Sequence, residues 1–164
     1  MNKQYLYTSF LILAVLTTLS CKKKESKECN DLNPFYYQID QTCTGIGLGP
    51  TNEDPAIIVI NSEEESKAIL TVKDARGSSC FEIPEIIKTD FSKYTVIVGQ
   101  KNVAGVVASM VSQSVIKNCK ENSITYSATI KNGGYQALGR YIFAVRIAKQ
   151  SSSVKYHFDI QLTN

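Results

Sequence analysis

From Val106 to Ile160 polar and apolar residues alternate with a period of two, and this spacing constrains the fold more than any other feature of the chain. Successive side chains of a β-strand point to opposite faces, so a series of such segments predicts sheet rather than helix. Val106–Lys117 sets Val107, Ser109, Val111, Gln113 and Val115 on one face, with Ala108, Met110, Ser112, Ser114 and Ile116 on the other. Ser123–Lys131 sets Ile124, Tyr126, Ala128 and Ile130 against Thr125, Ser127 and Thr129, and Asn132-Gly133-Gly134 ends it as a turn. Arg140–Lys149 places Tyr141, Phe143, Val145 and Ile147 opposite Ile142, Ala144, Arg146 and Ala148. After Gln150–Ser152, residues Val154, Tyr156, Phe158 and Ile160 alternate with Lys155, His157, Asp159 and Gln161. Two alternating segments joined by a short polar loop predict a β-hairpin.

Upstream the signals differ. Ala56-Ile57-Ile58-Val59-Ile60 is a β-branched strand candidate, and Phe35–Ile39 suggests a shorter one. Ser62-Glu63-Glu64-Glu65 reads as a helix start: Ser62 caps, Glu65 reaches back, and the helix runs to about Leu70. The three glutamates suit the positive end of the helix dipole, which explains them more simply than cation binding does. Within Tyr94–Gly99 the unbroken run Thr95-Val96-Ile97-Val98 predicts a strand covered on both faces. The expected fold is mainly β (α+β): an antiparallel sheet or β-sandwich of about six strands, with one short helix near 62–70.

The chain opens on different chemistry. Lys3, an apolar run from Tyr5 to Leu16, and the small residues Thr17, Thr18 and Ser20 precede Cys21; a charged stretch, Lys22 to Glu28, follows it. A basic start with roughly a dozen apolar residues is too short to span a bilayer and describes a secretory signal. The cysteine at the polarity switch resembles a lipoprotein signal, in which that side chain is lipidated and becomes the new N-terminus. Thr18 stands where such a signal usually has an aliphatic residue. The expected organisation is a signal peptide at 1–20, a lipid-anchored polar tether at 21–34 and one β-rich globular domain at 35–164.

Five cysteines are an odd number for an exported chain, and lipidation of Cys21 leaves four: Cys29, Cys43, Cys80 and Cys119. In an oxidising compartment these are expected to pair, with Cys29–Cys43 and Cys80–Cys119 the favoured arrangement among three. A Cys80–Cys119 link would enclose 38 residues. On the chain-entropy model it would stabilise the fold by about 3–4 kcal/mol. A zinc site is the rival, but there is no CxxC and His157 is the single histidine.

The net charge of +3 belongs to the signal and tether: from Cys29 onward, 13 Lys and Arg balance 13 Asp and Glu. A neutral domain lacks the basic stripe that nucleic-acid binding requires. Lys22–Lys24 suit either an anionic lipid surface or a plain solvated spacer. Gly45-Ile46-Gly47-Leu48-Gly49-Pro50 is followed by prolines rather than by a helix start, so it reads as a turn-rich linker and not a phosphate cradle. His157 and Asp159 share the polar face of a strand, and a serine or tyrosine opposite them would complete a triad on paper; a solvated sheet face is the simpler reading. The HExxH, EF-hand and Walker patterns are absent, and no serine lies in a nucleophile elbow. Tyr36, Tyr37, Tyr135 and Tyr141 lie at or near expected loops, where tyrosines serve recognition surfaces, although most tyrosines of a β domain belong to its core or rim.

Val59-Ile60-Asn61-Ser62-Glu63-Glu64, then Asp90-Phe91-Ser92-Lys93-Tyr94-Thr95-Val96-Ile97-Val98-Gly99, and the late strand Tyr141-Ile142-Phe143-Ala144-Val145 carry a family resemblance. Their order resembles the protease-complex-subunit (PrcB-type) lipoproteins, common in Bacteroidetes, over roughly two thirds of the chain. The resemblance implies an envelope protein without a catalytic site of its own that assists a protease complex. It assigns no residue a role beyond packing and Cys21.

The sequence therefore predicts a non-enzymatic, cofactor-free domain held on the bilayer by N-terminal acyl chains and binding another envelope protein. The outer membrane, on its periplasmic or its surface side, is the expected location. The alternative is a small-molecule or glycan binder using a tyrosine-lined sheet face or loop cleft.

Overall fold

A computed structural model describes residues 32–39, 41, 54–70, 84–105, 107–134 and 137–164. The elements run β1 (Phe35–Tyr36), β2 (Ala56–Ile60), α1 (Glu63–Leu70), α2 (Pro84–Ile87), β3 (Tyr94–Ala104), β4 (Ser109–Asn118), β5 (Ser123–Lys131), β6 (Leu138–Ala148) and β7 (Lys155–Thr163). Two sheets form, one in the order β1-β6-β3-β2 and the other β4-β5-β7. The expected mainly β sandwich with a helix at 63–70 is what the chain adopts. The expected signal, Cys21, the glycine-rich loop and Tyr135 lie outside the described residues, as does all of the tether before Leu32.

The continuous apolar run of β3 explains the layering. Thr95 to Gly99 are all buried, as are Ile142 to Val145 of β6, because β3 and β6 are the two central strands of the larger sheet and are covered on both sides. One side packs against the smaller sheet through Ile97, Phe143, Val145 and Ile147, which meet Ile124, Tyr126, Ala128 and Ile130. The other buries Val96, Val98, Ile142 and Ala144 with Ile60, Tyr37 and Ile86 of α2. Each fully buried aliphatic side chain contributes about 1.5–3 kcal/mol of transfer free energy. Leu32, placed in the tether by its polar neighbours, is buried in the inter-sheet core, and its carbonyl accepts the Ala148 N–H at 2.8 Å. Leu32 is thus part of the packed core.

The predicted β6–β7 hairpin does not form. β6 pairs antiparallel with β3 along its whole length, from Tyr94 opposite Ala148 to Ala104 opposite Leu138, whereas β7 pairs parallel with β5 in the other sheet. Residues 149–154 cross between sheets, and Val154 of this link is buried in the core. The parallel pair is also a departure from the all-antiparallel arrangement.

A bulge in β4 is a second departure. Met110 lies opposite Ile130 but Ser112 lies opposite Thr129, so Val111 is the extra residue and the alternation changes phase there. Gln113 and Val115 consequently share the inner face with Met110, while Ser112, Ser114 and Ile116 face out.

The start of α1 follows its sequence signal with one adjustment. The Glu65 N–H donates to Ser62 Oγ at 3.1 Å, and the Glu65 carboxylate accepts the N–H of Asn61, one residue before the cap, at 2.7 Å. Lys67 pairs with Glu63 one turn earlier.

Candidate functional site

Two surface arrangements have the chemistry to meet another molecule. The first is the outer face of the β4-β5-β7 sheet. Register places Ile116, Thr125 and His157 in one row, Ser114, Ser127 and Asp159 in the next, and Ser112, Thr129 and Gln161 in a third. Short hydroxyl side chains in the centre and longer ones on β7 leave a shallow open depression of about 140 Å³, lined by Ser112, Ser114, Ser127, Thr129, Asp159 and Gln161 among others. The Gln161 amide donates to both Asp159 oxygens at 3.3 and 3.4 Å, so this carboxylate is already engaged by its neighbour two residues on. His157 and Asp159 do share the polar face, as their spacing implied, and both are exposed. His157 lies opposite Thr125, and Asp159 opposite Ser127. Among the described residues no hydrogen bond joins His157 to Asp159 or to a serine, so the paper triad is not assembled there.

The second arrangement lies on the other side of the molecule, on the face of the larger sheet that carries Ile142 and Ala144. Arg146 of β6 stands opposite Phe35 of β1 and opposite Val96 of β3, with Tyr94 two residues along on the same face. Its guanidinium lies 5.0 Å from the Phe35 ring centre and 4.4 Å from that of Tyr94, between the two rings. Each contact of this kind stabilises by about 0.5–1 kcal/mol at a partly exposed site. Phe35 packs edge-on against Tyr37 at 5.2 Å, and the Tyr37 hydroxyl is hydrogen-bonded to Thr89 Oγ1 at 3.1 Å. The alternation of β6 places Arg146 on the correct strand face. It does not reveal the cluster, because the hairpin reading gives β6 the wrong partner strand.

Of the tyrosines near expected loops, Tyr36, Tyr37 and Tyr141 belong to the core and its rim, the simpler of the two readings, and Tyr135 lies outside the described residues. Tyr37 is buried, Tyr36 and Tyr141 are half-buried, and both of the latter pack on the inter-sheet core. Tyr126, fully buried, donates to Gln113 Oε1 at 3.0 Å and stacks on Phe143 at 5.4 Å. Burial pushes its phenol above the ordinary range, with Tyr36 and Tyr141 nearby adding to the effect. Burial raises Tyr36 and Tyr141 as well, opposed by the Val115 and Met110 backbones that their hydroxyls approach. These hydroxyls extend from the larger sheet to β4 of the smaller one, so they tie the sandwich together.

Cys21, Cys29, Cys43 and Cys80 lie outside the described residues. Cys119 is exposed in the turn between β4 and β5 and is disulfide-bonded, with its partner outside the described residues. Among the described residues no cluster of His, Cys, Asp or Glu could hold a metal ion, and no helix is long and apolar enough to cross a membrane. No family model matches the chain, and no curated protein or solved structure matches it significantly.

Proposed function

We propose that this is a lipid-anchored cell-envelope protein whose β-sandwich is a non-catalytic protein-binding module. The polarity switch at Cys21 carries the reading: an apolar run with a basic start ends on a cysteine, and a charged tether follows. Several acyl chains at about 0.8 kcal/mol per buried CH₂ make release from a bilayer negligible. The balanced charge of the domain and the absence of a recognisable catalytic motif in the sequence support binding rather than chemistry. The resemblance to PrcB-type lipoproteins makes an accessory subunit of an envelope protease complex the leading role. Cys80 is the favoured disulfide partner of Cys119.

The test is fractionation of Cys21→Ser. This variant is expected in the soluble fraction, while the parent stays with membranes and takes up labelled palmitate; a variant still membrane-bound would refute the anchor. Cross-linking of the intact lipoprotein in its own membrane is expected to capture a protease subunit.

A second reading rests on the hydroxyl-lined depression of the β4-β5-β7 face: a glycan held by Asp159, Gln161 and the central hydroxyls. Asp159→Ala would then abolish retention on immobilised glycans. Tyr36, Tyr37 and Tyr141 give it no support, because they pack inward.

A further inference from the structure

The geometry points to Arg146 as a recognition point for carboxylates, docking an acidic segment of a partner protein on the face opposite the hydroxyl depression. This rests on the reading of the domain as a protein-binding module and is independent of the anchor. A guanidinium has five N–H donors in one plane, and stacking occupies its two faces while leaving that plane free. The Phe35 and Tyr94 rings each present a face to the Arg146 guanidinium carbon, at 5.0 and 4.4 Å. The remaining contacts of the cluster hold the rings: Tyr37 against Phe35, and Thr89 against Tyr37. The ion pairs among the described residues are Lys67–Glu63, Lys93–Asp90 and Lys101–Asp54, so none of these carboxylates serves Arg146.

Arg146 is half-buried, and none of its nitrogens is a fully buried donor lacking a partner. An arginine already ordered by packing loses less rotamer freedom on binding than a free one, and its fork matches a carboxylate with two parallel hydrogen bonds. Phe35, 49 % exposed, adds an apolar shoulder beside the charge. Aromatic residues with arginine are the composition that dominates binding energy in protein interfaces. The charge of Arg146 and its two-pronged donor geometry suit an oxyanion, and the apolar shoulder favours a carboxylate-bearing peptide over a small free anion such as phosphate.

The experiment uses the mature lipoprotein in neutral detergent, labelled with ¹⁵N-arginine. The full sequence has three arginines, Arg76, Arg140 and Arg146, so at most three side-chain Nε–H signals need assignment. The probe is a fluorescein-labelled deca-glutamate peptide, with inorganic phosphate as the competing anion. The Arg146 signal is expected to move saturably with the peptide while that of Arg140 stays in place. Anisotropy should show R146K binding at least about tenfold more weakly although its charge is kept, because lysine neither stacks nor forks. Phe35→Leu, an exposed-ring change that keeps the fold, should weaken binding several-fold. Equal binding by R146K and the parent would overturn the proposal, as would no peptide binding, or phosphate displacing the peptide at equal concentration. Should R146K fail to melt cooperatively, Phe35→Leu and the Arg146 signal decide alone. Loss of membrane attachment in Cys21→Ser is read separately, so the two ideas fail independently.

Discussion

Asp90 shows how one side chain sets the geometry of a whole strand. Its carboxylate accepts the Ser92 N–H at 3.1 Å and the Ser92 hydroxyl, and it pairs with Lys93 at 3.0 Å, while its carbonyl accepts the Lys93 and Tyr94 N–H groups. This is an aspartate-nucleated turn, and it launches β3 directly into the core. The Ser92 hydroxyl, then Lys93, pull the Asp90 carboxyl from 3.8 down to about 2. A depressed folded-state pKa means that the contribution to stability is present above the unfolded value and is lost as pH falls through the folded one. The melting temperature of the parent should therefore exceed that of Asp90→Asn by a constant amount above about pH 5, and the gap should close toward pH 2. Because Asp90 is exposed, added salt should narrow the gap at neutral pH. A gap that persists unchanged at pH 2 would show that the charge plays no part. The sequence displays this turn openly, since Asp-Phe-Ser-Lys is local chemistry. The ring cluster around Arg146 is hidden in it, because Phe35, Tyr94 and Arg146 meet only through the pairing of three strands.

Element identity is readable wherever burial leaves a periodic trace, and element pairing is not. β5 has one buried and one wet face, so its alternation survives in the sequence; β3 is buried on both, so its run is continuous. β6 carries apolar residues on both faces as well, and that pattern fits the centre of a covered sheet better than a hairpin arm. Loop length suggests the hairpin, yet 149–154 is long enough to cross the sandwich, so burial is the stronger guide. The β4 bulge leaves no trace because Val111 and Ser112 fit the simple alternation as well as they fit the shifted one. Pairing also explains Gly99. A Cβ there would collide with the ring of Phe143, which lies directly across the β3–β6 pair. Phe143 stacks on Tyr126 of the facing sheet, so the ring cannot retreat without opening the inter-sheet core. Gly99→Ala should therefore destabilise by about 1–3 kcal/mol, the usual cost of overpacking, measured as a lower midpoint in urea with little change in slope. Unchanged stability would mean that the Phe143 ring does not occupy this position.

At the scale of the molecule, the sandwich is asymmetric, and its stability should be distributed accordingly. The larger sheet is covered on both faces around β3 and β6, whereas the smaller sheet has a solvated outer face of hydroxyls and charges. β4 and β7 are the edges of that smaller sheet, each paired on one side only among the described strands. Backbone hydrogen bonds exchange with solvent through local openings, and those at a wet edge open with less free energy than those in a double-covered centre. Amide exchange should therefore be slowest at Val96–Val98 and Phe143–Val145, intermediate in β5, and fastest along β4 and β7. The bulge at Val111 and the tyrosine hydroxyls near Met110 and Val115 make the β4 edge a poorer template for strand pairing. The parallel β5–β7 pair closes the fold last in sequence, with the Asn132 N–H donating to Thr163 O at 2.8 Å. Protection of β7 should thus fall below that of its neighbour β5 and be independent of β6. If β7 and β6 instead exchange together, the two strands are paired as a hairpin and the division into β1-β6-β3-β2 and β4-β5-β7 sheets is wrong.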